Sequence, residues 1–290
     1  MSSEQYPTPE GEVPSPAAEH HDDYGPSYFE NYSELRTDPN EKAPPYRCGE
    51  PVWEESFRRI ATQIVARLSP ATALDAGCAI GFLVQALRAQ GVAAEGVDVS
   101  TWAISQVPEE VAPFCRVGSL VDELSQVYDL ITCIEVLEHL PAGLASDVVA
   151  NLCRNSRVVL FSSTPDRFDE VTHVNVQPSE YWVDLFARCN FYRDVDFDAS
   201  FVSPHAILFR PASDSAAVAA SYERWAARMN FELAEVRKHR DLLYSEVWGA
   251  RQAAEAARAE VVALFNTKTF RATKPLRSLR ARLRRRSRES

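Results

Sequence analysis

Short runs of β-prone residues alternate with amphipathic helical patterns through the middle of the sequence, and this alternation constrains the fold more than any other feature. The clearest strand patterns lie at residues 73–76, 93–97, 128–134 and 158–162, with a weaker one at 115–117. A helical pattern precedes the first strand, and another follows each of the four clearest strands. Such β–α alternation predicts a parallel sheet that helices cover on both faces.

The last two strand patterns, Phe191–Phe197 and Phe201–Phe209, are separated by only three residues. A parallel crossover needs about a dozen residues or more, so we predict an antiparallel hairpin. His205 falls inside the second pattern and is predicted to be a core or edge residue. The predicted fold class is α/β: a Rossmann-like, mostly parallel, seven-stranded sheet with an antiparallel final strand, followed by a long C-terminal helix.

An acid and two glycines occupy the turn after the first strand, within the segment LDAGCAIGFLVQAL, Leu74–Leu87. Gly77 and Gly81 permit positive φ and let a ligand approach the backbone closely. The helix that follows presents unpaired N–H groups at the same place. About 20 residues further on, Asp98 ends the next strand, where a carboxylate accepts hydrogen bonds from ribose hydroxyls. A nucleotide-like ligand is therefore expected at this edge.

Two kinds of cofactor suit this pattern. A dinucleotide fingerprint requires G-x-G-x-x-G, but Ala79 and Phe82 occupy its second and third glycine positions. Asp75, at the strand end, is unfavourable beside a pyrophosphate, whereas it suits a cationic ligand that carries an amine. The residues thus favour S-adenosylmethionine over a dinucleotide.

The glycine turn resembles the first motif of the class I S-adenosylmethionine-dependent methyltransferases, D/E-x-G-x-G-x-G, with Ala79 in place of the middle glycine. The final antiparallel hairpin also matches that family, and the resemblance covers about residues 24–211. It implies S-adenosyl-L-methionine as the cofactor, with Asp98 on the ribose. The implied cofactor-binding residues are Asp75, Gly77, Cys78, Gly81, Asp98, Val99, Ser119, Leu120 and Glu135.

Two carboxylates and an imidazole follow the fourth strand pattern, in the segment DLITCIEVLEHLPAG. Ligands of such sheets lie outside the carboxyl ends of the strands. In a helical turn, positions i, i+3 and i+4 share one face, so Glu135, Glu138 and His139 are expected to converge. Two like charges buried together are costly, and a divalent cation would remove that cost.

Oxygen-rich ligands favour Mg²⁺ or Mn²⁺, and His173 is the candidate fourth ligand. E-x-x-E-H followed by a histidine resembles the metal site of small-RNA 2′-O-methyltransferases, and the shorter motif is similar to one in ubiquinone-pathway O-methyltransferases. A metal would lower the pKa of a bound hydroxyl, and without a metal His139 or His173 would act as the base. Alternatively, the motif only ends the strand and shapes the pocket. The predicted catalytic and metal-binding residues are Glu135, Glu138, His139 and His173.

The candidate substrate residues are two amides and two aromatic side chains, Asn175, Gln177, Tyr181 and Trp182. They suit a sugar, whose hydroxyls need hydrogen bonds and whose C–H face stacks on rings. They would equally suit capping and packing of the helix predicted at Ser179–Asn190.

The segment HVNVQPSEYW together with the ending TFRATKPLR resembles bacterial proteins of cell-surface polysaccharide synthesis. This resemblance implies O-methylation of a sugar in a lipid-linked precursor or growing polysaccharide. The alternatives are methylation of RNA ribose or of a small phenolic metabolite, and a non-enzymatic coiled-coil scaffold of a glycan assembly complex. The intact glycine turn argues against the scaffold.

Beyond Pro211 the apolar residues recur every three or four positions. From Leu233 to Leu264 the two steps alternate strictly, which is a heptad seam. It predicts a coiled coil through which the chain forms a homodimer. The alternative is a long helix that packs on its own domain.

The net charge of −10 is unevenly distributed. Residues 268–288 hold ten basic residues and no acidic one, which leaves 31 − 10 = 21 basic residues elsewhere against 41 acidic ones. An acidic body argues against nucleic acid as a partner. Leu276, Leu279 and Leu283 form an apolar stripe among the arginines of this tail, which suits an anionic membrane surface. The alternative is a soluble cationic tail.

Six cysteines lie scattered without a C-x-x-C pair, and the N-terminal residues lack the features of a secretory signal. Both observations predict a cytoplasmic protein, peripheral at the inner face of the plasma membrane if the tail binds there. The predicted organisation is a disordered segment at 1–23, a methyltransferase domain with an aromatic N-terminal arm at 24–211, a long helix at 212–266 and a basic tail at 267–290.

Overall fold

A computed structural model describes residues 24–30, 44–124, 126–168 and 170–273. It contains one seven-stranded sheet in the order β3-β2-β1-β4-β5-β7-β6. All neighbouring strands are parallel except that β7 runs antiparallel to both β5 and β6, which confirms the predicted fold class. The strands are β1 Thr72–Ala76, β2 Ala93–Asp98, β3 Cys115–Val117, β4 Leu130–Ile134, β5 Val159–Ser162, β6 Phe191–Arg193 and β7 Ile207–Pro211.

Helices follow most of the parallel strands, and an apolar core lies on each face of the sheet. Leu130 and Ile131 are adjacent on β4 and fully buried, yet they belong to different cores, because successive side chains of a strand point to opposite faces. Central strands covered on both faces are therefore mostly apolar. The helices are α1 Pro26–Glu30, α2 Pro51–Leu68, α3 Phe82–Arg88, α4 Thr101–Ser105, α5 Ala142–Arg154, α6 Ser179–Arg188, α7 Ser215–Asn266 and α8 Lys268–Ala272.

The antiparallel pairing of β6 and β7 confirms the predicted hairpin, but the predicted strand ends are wrong. β6 ends at Arg193 and β7 begins at Ile207, so a long loop joins them. Aromatic residues of this loop pack on the core beneath α2, where Arg67 donates a hydrogen bond to the carbonyl oxygen of Asp198 at 2.8 Å. The aromatic pattern thus marks burial of a loop. His205 lies in this loop and not within a strand.

The chain divides into two compact units, with the division at Tyr222 and Glu223 inside α7. α7 is 52 residues long and none of them is buried in the described structure. The long helix is therefore confirmed, while its pairing into a coiled coil stays a prediction. None of the described helices combines the length and apolar character needed to span a membrane. The predicted disordered segment at 1–23 and tail residues 274–290 lie outside the described residues.

Candidate active site

Asp75 lies near the carboxyl end of β1 and is almost fully buried. Thr132, on the adjacent strand β4, donates a hydrogen bond of 2.7 Å to Asp75 Oδ1. Burial raises the pKa of Asp75 to about 7, the hydrogen bond from Thr132 lowers it, and the nearby Asp98 raises it further. A buried acid of this kind is ready to ionise when a cation binds beside it.

The turn after β1 has left-handed backbone at Gly77, Ala79 and Gly81, with φ of 85°, 46° and 82°. A Cβ at Gly77 would lie 2.9 Å from Val136 Cγ1 and closer still to Cγ2, so only glycine fits there. Ala79 accepts the strained conformation, and its N–H donates to Asp98 Oδ2 at 2.8 Å. The turn is thereby tied to the end of β2.

Asp98 ends β2 and accepts a second hydrogen bond of 2.8 Å from the N–H of Ser100. Burial raises the pKa of Asp98 above its usual value, although backbone hydrogen bonds from Ser100, Ala79 and Val99 oppose the rise. Gly118 donates to the carbonyl oxygen of Asp98 at 2.9 Å, which brings Ser119 and Leu120 to the same edge of the sheet. The ends of β1, β2 and β3 thus face one cavity.

Glu135 follows β4 with a φ of 53°, and a short 3-10 helix begins two residues later, at Leu137. The side chain of Glu138 is fully buried close to that of Glu135, and its Oε1 accepts a hydrogen bond of 3.2 Å from the N–H of Thr164. Burial raises the pKa of Glu138 well above its usual range, and the charge of Glu135 raises it further. Both effects favour the neutral form of Glu138, in which the repulsion between two buried charges is absent.

His139 ends the 3-10 helix, and its two ring nitrogens have different partners. Nδ1 lies 3.2 Å from the carbonyl oxygen of Thr172, which can only accept, so Nδ1 carries the hydrogen. Nε2 is then the unprotonated nitrogen, and it lies 3.4 Å from the hydroxyl of Tyr28. Burial lowers the pKa of His139 to about 3, and the adjacent His173 lowers it further. His139 is a neutral imidazole whose lone pair faces the hydroxyl of Tyr28.

His173 packs edge-on against His139, with ring centroids 4.7 Å apart. Its Nδ1 donates to the carbonyl oxygen of Arg167 at 2.8 Å, by the same reasoning. Its Nε2 lies 3.6 Å from Glu170 Oε2, and neither atom has a hydrogen-bond partner among the described residues. Thr172 and His173, which both belong to the segment after β5, therefore fix the orientation of the His139 ring.

The described part of the aromatic N-terminal arm packs over the same cavity. Phe29 stacks on Trp102 with centroids 5.0 Å apart, and Tyr46 packs on Trp53. Tyr24 donates to the carbonyl oxygen of His139 at 3.4 Å, and its own carbonyl oxygen accepts from Ser100 at 2.7 Å. The arm thus joins the glycine-turn side of the cavity to the histidine side.

These elements enclose a cavity of about 480 Å³. This volume lies within the range of about 300–1,000 Å³ for small-molecule sites. Its walls are mostly apolar and aromatic, with Asp75, Asp98, Glu135 and His139 as inward-facing titratable groups among others. A few polar groups in an apolar cleft are typical of a site that orients an organic ligand.

One sequence family matches the part of the chain that builds this cavity. The family is described as "Methyltransferase domain", and it matches residues 52–201, more than half of the chain. The chain belongs to this family.

Individual relatives match shorter stretches of the methyltransferase domain. A ubiquinone biosynthesis O-methyltransferase from Nitrosomonas europaea is 29% identical over 110 residues, covering 35% of this chain and 47% of the relative. A magnesium protoporphyrin IX methyltransferase from Arabidopsis thaliana is 32% identical over 111 residues, covering 35% of each chain. The matches span less than half the length of these two relatives.

Solved structures support the fold of the methyltransferase domain. A magnesium protoporphyrin IX methyltransferase from Synechocystis PCC 6803 with bound S-adenosylmethionine aligns with a TM-score of 0.50 and 18% identity. The alignment covers 69% of this chain and 97% of that one. At this level of identity the likeness shows a shared fold.

In the methyltransferase domain, the residues predicted to bind the cofactor come together around the cavity. The residues that line it are Asp75, Gly77, Cys78, Asp98, Val99, Ser119, Leu120 and Glu135. Gly81 contributes to the turn instead, because its N–H donates to the carbonyl oxygen of Cys78 at 2.8 Å. Their roles toward a cofactor stay predictions.

The predicted metal site of Glu135, Glu138, His139 and His173 is not supported. No group of three or more His, Cys, Asp or Glu side chains among the described residues is arranged to hold a metal ion. The four residues separate into a carboxyl pair and an imidazole pair. The two histidine Nδ1 atoms point at carbonyl oxygens, and burial favours the neutral form of Glu138, which lessens the carboxyl repulsion that suggested a metal.

The predicted substrate residues do not line the cavity. Asn175 is buried and holds the 3-10 helix, since its Nδ2 donates to the carbonyl oxygen of Leu137 at 3.3 Å. Gln177 donates to Asn175 Oδ1 at 3.0 Å. Trp182 lies in the core against Phe161, and Tyr181 packs beside it. Of the two interpretations of this segment, the structure favours capping and packing.

Several cavity residues were not predicted from the sequence. Thr164 and Arg167 reach the cavity from the segment after β5, and Val202–His205 reach it from the loop between β6 and β7. Thr172, which sets the tautomer of His139, is 33 residues away along the chain. No local motif marks these residues, because their place depends on how distant loops pack.

Proposed function

We propose that this chain is an S-adenosylmethionine-dependent O-methyltransferase whose acceptor is a hydroxyl on an aromatic ring. The observation that carries the proposal is one cavity lined both by a buried acidic glycine turn and by a neutral histidine whose unprotonated nitrogen faces the hydroxyl of Tyr28. Membership of the methyltransferase-domain family supports the reaction type.

The glycine-turn side suits the cofactor. Asp75, with its raised pKa, ionises most easily beside a cation such as the amino group of S-adenosylmethionine. Asp98 lies 19 residues after Ala79 in the sequence and lines the same cavity. Its carboxylate oxygens can accept hydrogen bonds from ribose hydroxyls. The bound cofactor would supply a methyl group on a positively charged sulfur. Gly77, which has no side chain, lets the cofactor lie directly against the backbone.

The histidine side suits the acceptor. As the acceptor oxygen forms its bond to the methyl carbon, the carbon–sulfur bond breaks and the hydroxyl proton passes to His139 Nε2. Thr172 holds the ring so that Nε2 faces the cavity, and it accepts from the imidazolium that forms.

The weak basicity of His139 favours an acidic acceptor. With its pKa lowered to about 3, the imidazole removes a proton far more easily from a phenol, with a pKa near 10, than from an aliphatic hydroxyl, whose pKa lies close to the value of about 15.7 for water. The phenol of Tyr28 already lies 3.4 Å from Nε2, which supports the fit of an aromatic hydroxyl there. Support for a saccharide comes from the motif resemblance alone.

The test is transfer of a labelled methyl group from S-adenosylmethionine to a panel of catechols and phenols, sugar nucleotides and a short RNA. We expect methylated phenols. His139→Ala should lower kcat by about 10²- to 10⁴-fold while cofactor affinity stays within a few-fold. His239→Ala, a change at an exposed histidine of α7, is the matched control and should be neutral.

Each negative result contradicts a different part of the proposal. Methylation of sugar nucleotides but not of phenols would overturn the acceptor class. Full activity of His139→Ala would overturn the base. Absence of S-adenosylmethionine binding in calorimetry would overturn the activity itself.

A further inference from the structure

Residues 233–264 of α7 carry an apolar stripe that the described structure leaves exposed. Six large aliphatic side chains of the stripe are exposed by 45–64%; they are Leu233, Val236, Leu243, Val247, Val261 and Leu264. A soluble chain rarely exposes so long an apolar row, and such rows mark interaction surfaces. The stripe lies wholly in the second compact unit.

The positions of these residues define a heptad register. With Leu233 at position a, the a and d positions alternate without interruption up to Leu264. Valine occupies two a positions, Val247 and Val261, and leucine two d positions, Leu243 and Leu264. β-branched residues at a with leucine at d favour two-stranded parallel coiled coils.

One charged residue, Arg240, interrupts the seam at an a position. Its guanidinium donates to Asp241 Oδ1 at 2.8 Å, so its charge is paired at the helix surface. A single polar a position lowers stability but specifies register and oligomeric state. Arg240 is therefore compatible with a two-stranded seam.

The residues that flank the seam differ in charge on its two sides. The e positions include the basic residues Arg237, Arg251 and Arg258, and the g positions include the acidic residues Glu232, Glu246 and Glu260. In a parallel pair each g position faces the e position of the following heptad in the other helix. Two attractive pairs result, and twofold symmetry doubles them: Glu232 with the partner's Arg237, and Glu246 with the partner's Arg251.

The antiparallel arrangement that keeps the same seam is electrostatically worse. There e positions face e positions, so Arg237 would lie opposite the partner's Arg258 and both glutamate–arginine pairs would be lost. We infer that two copies of this chain pair in parallel and in register through the Leu233–Leu264 stripe. The inference does not depend on the proposed reaction.

The oligomeric state of the full chain tests the pairing. Sedimentation equilibrium should give twice the chain mass of 32.4 kDa. Leu243→Asp, at a d position, should shift the mass to that of one chain. Leu242→Asp is the matched control, because Leu242 is as exposed as Leu243, at 56% against 55%, but lies at a c position off the seam. A monomeric parent, a trimer, or a dimer that survives Leu243→Asp would overturn the inference.

Cysteine cross-linking tests the orientation. In a parallel, in-register pair Ala257, at a d position, lies opposite its own copy, so Ala257→Cys should form an inter-chain disulfide under mild oxidation. Ala259→Cys, at an outward f position, is the control and should not exceed the parent. In the antiparallel pair the two copies of residue 257 would lie roughly 25 Å apart at about 1.5 Å per residue. Cross-linking of Ala259→Cys alone, or of neither variant, would contradict a parallel pair.

Discussion

Asp75 is a buried acid whose ionisation state depends on what lies beside it. Burial raises its pKa to about 7, so without a ligand it is mostly neutral at pH 6 and mostly ionised at pH 8. Because the folded-state pKa exceeds the usual value, stability is greatest when the carboxyl is neutral and decreases as pH rises from about 4 through 7. A cation bound beside Asp75 stabilises the ionised carboxylate and so favours the charged form instead.

We therefore expect the affinity for S-adenosylmethionine to fall as pH is lowered. Only the ionised carboxylate attracts the amino group, so calorimetry should show affinity about eightfold weaker at pH 6 than at pH 7.5. Asp75→Asn should bind more weakly with a nearly flat profile over that range. His139, whose pKa is about 3, stays neutral throughout and does not contribute. A pH-independent affinity of the parent would contradict the role of Asp75.

The sequence correctly predicted four residues of the cavity, Asp75, Asp98, Glu135 and His139. Strand ends and i, i+3, i+4 spacing place them at one edge of the sheet. The raised pKa of Glu138 and the tautomer of His139 could not be predicted. They depend on burial and on contacts with Thr164 and Thr172, far along the chain.

The turn between β1 and α3 is the element on which the cofactor side of the cavity depends. Gly77 and Gly91 have similar backbone conformations but different surroundings. A comparison of alanine substitutions at the two positions therefore separates the effect of side-chain contact from the effect of backbone strain. Gly77 has a φ of 85° and lies against Val136, whereas Gly91 has a φ of 88° and has open space around its α-carbon. Alanine at either position meets the same left-handed strain, but only at Gly77 does it also meet a stiff, β-branched side chain.

Gly91→Ala should lower the free energy of unfolding by about 1–2 kcal/mol through strain alone. Gly77→Ala should lower it by about 1–3 kcal/mol more, because Val136 must move, and should weaken S-adenosylmethionine binding at least tenfold. Thermal unfolding and calorimetry on both variants measure the two effects. Equal losses in the two variants would show that contact with Val136 is unimportant.

The hairpin of β6 and β7 shows what a strand pattern can and cannot predict. The antiparallel direction was predicted correctly, yet Phe197 and Phe201, which gave the aromatic pattern, belong to the loop. Aromatic residues are apolar whether a strand or a packed loop buries them, so periodicity alone does not separate the two. The same limit explains why His205 was placed in a strand although it lines the cavity.

At the scale of the whole molecule, charge is segregated along the chain. Twenty-three residues from 268 onward contain ten of the 31 basic residues, while nearly all acidic residues lie before them. Near an anionic bilayer each basic residue contributes on the order of 1 kcal/mol, and pairing of two chains would place two such segments on one particle. An acidic body, in contrast, is repelled by the same surface.

Removal of residues 268–290 should therefore abolish binding to vesicles containing anionic phosphatidylserine while leaving methyl transfer to a soluble phenol unchanged. Co-sedimentation of the full chain should be strong at low salt, weaken as sodium chloride is raised, and be absent with neutral phosphatidylcholine vesicles, because salt screens charges at a surface. A variant with Leu276, Leu279 and Leu283 changed to serine separates charge from apolar insertion. If insertion contributes, this variant binds more weakly but keeps the salt dependence. Equal partitioning of the truncated and full chains would show that the basic segment does not bind the membrane.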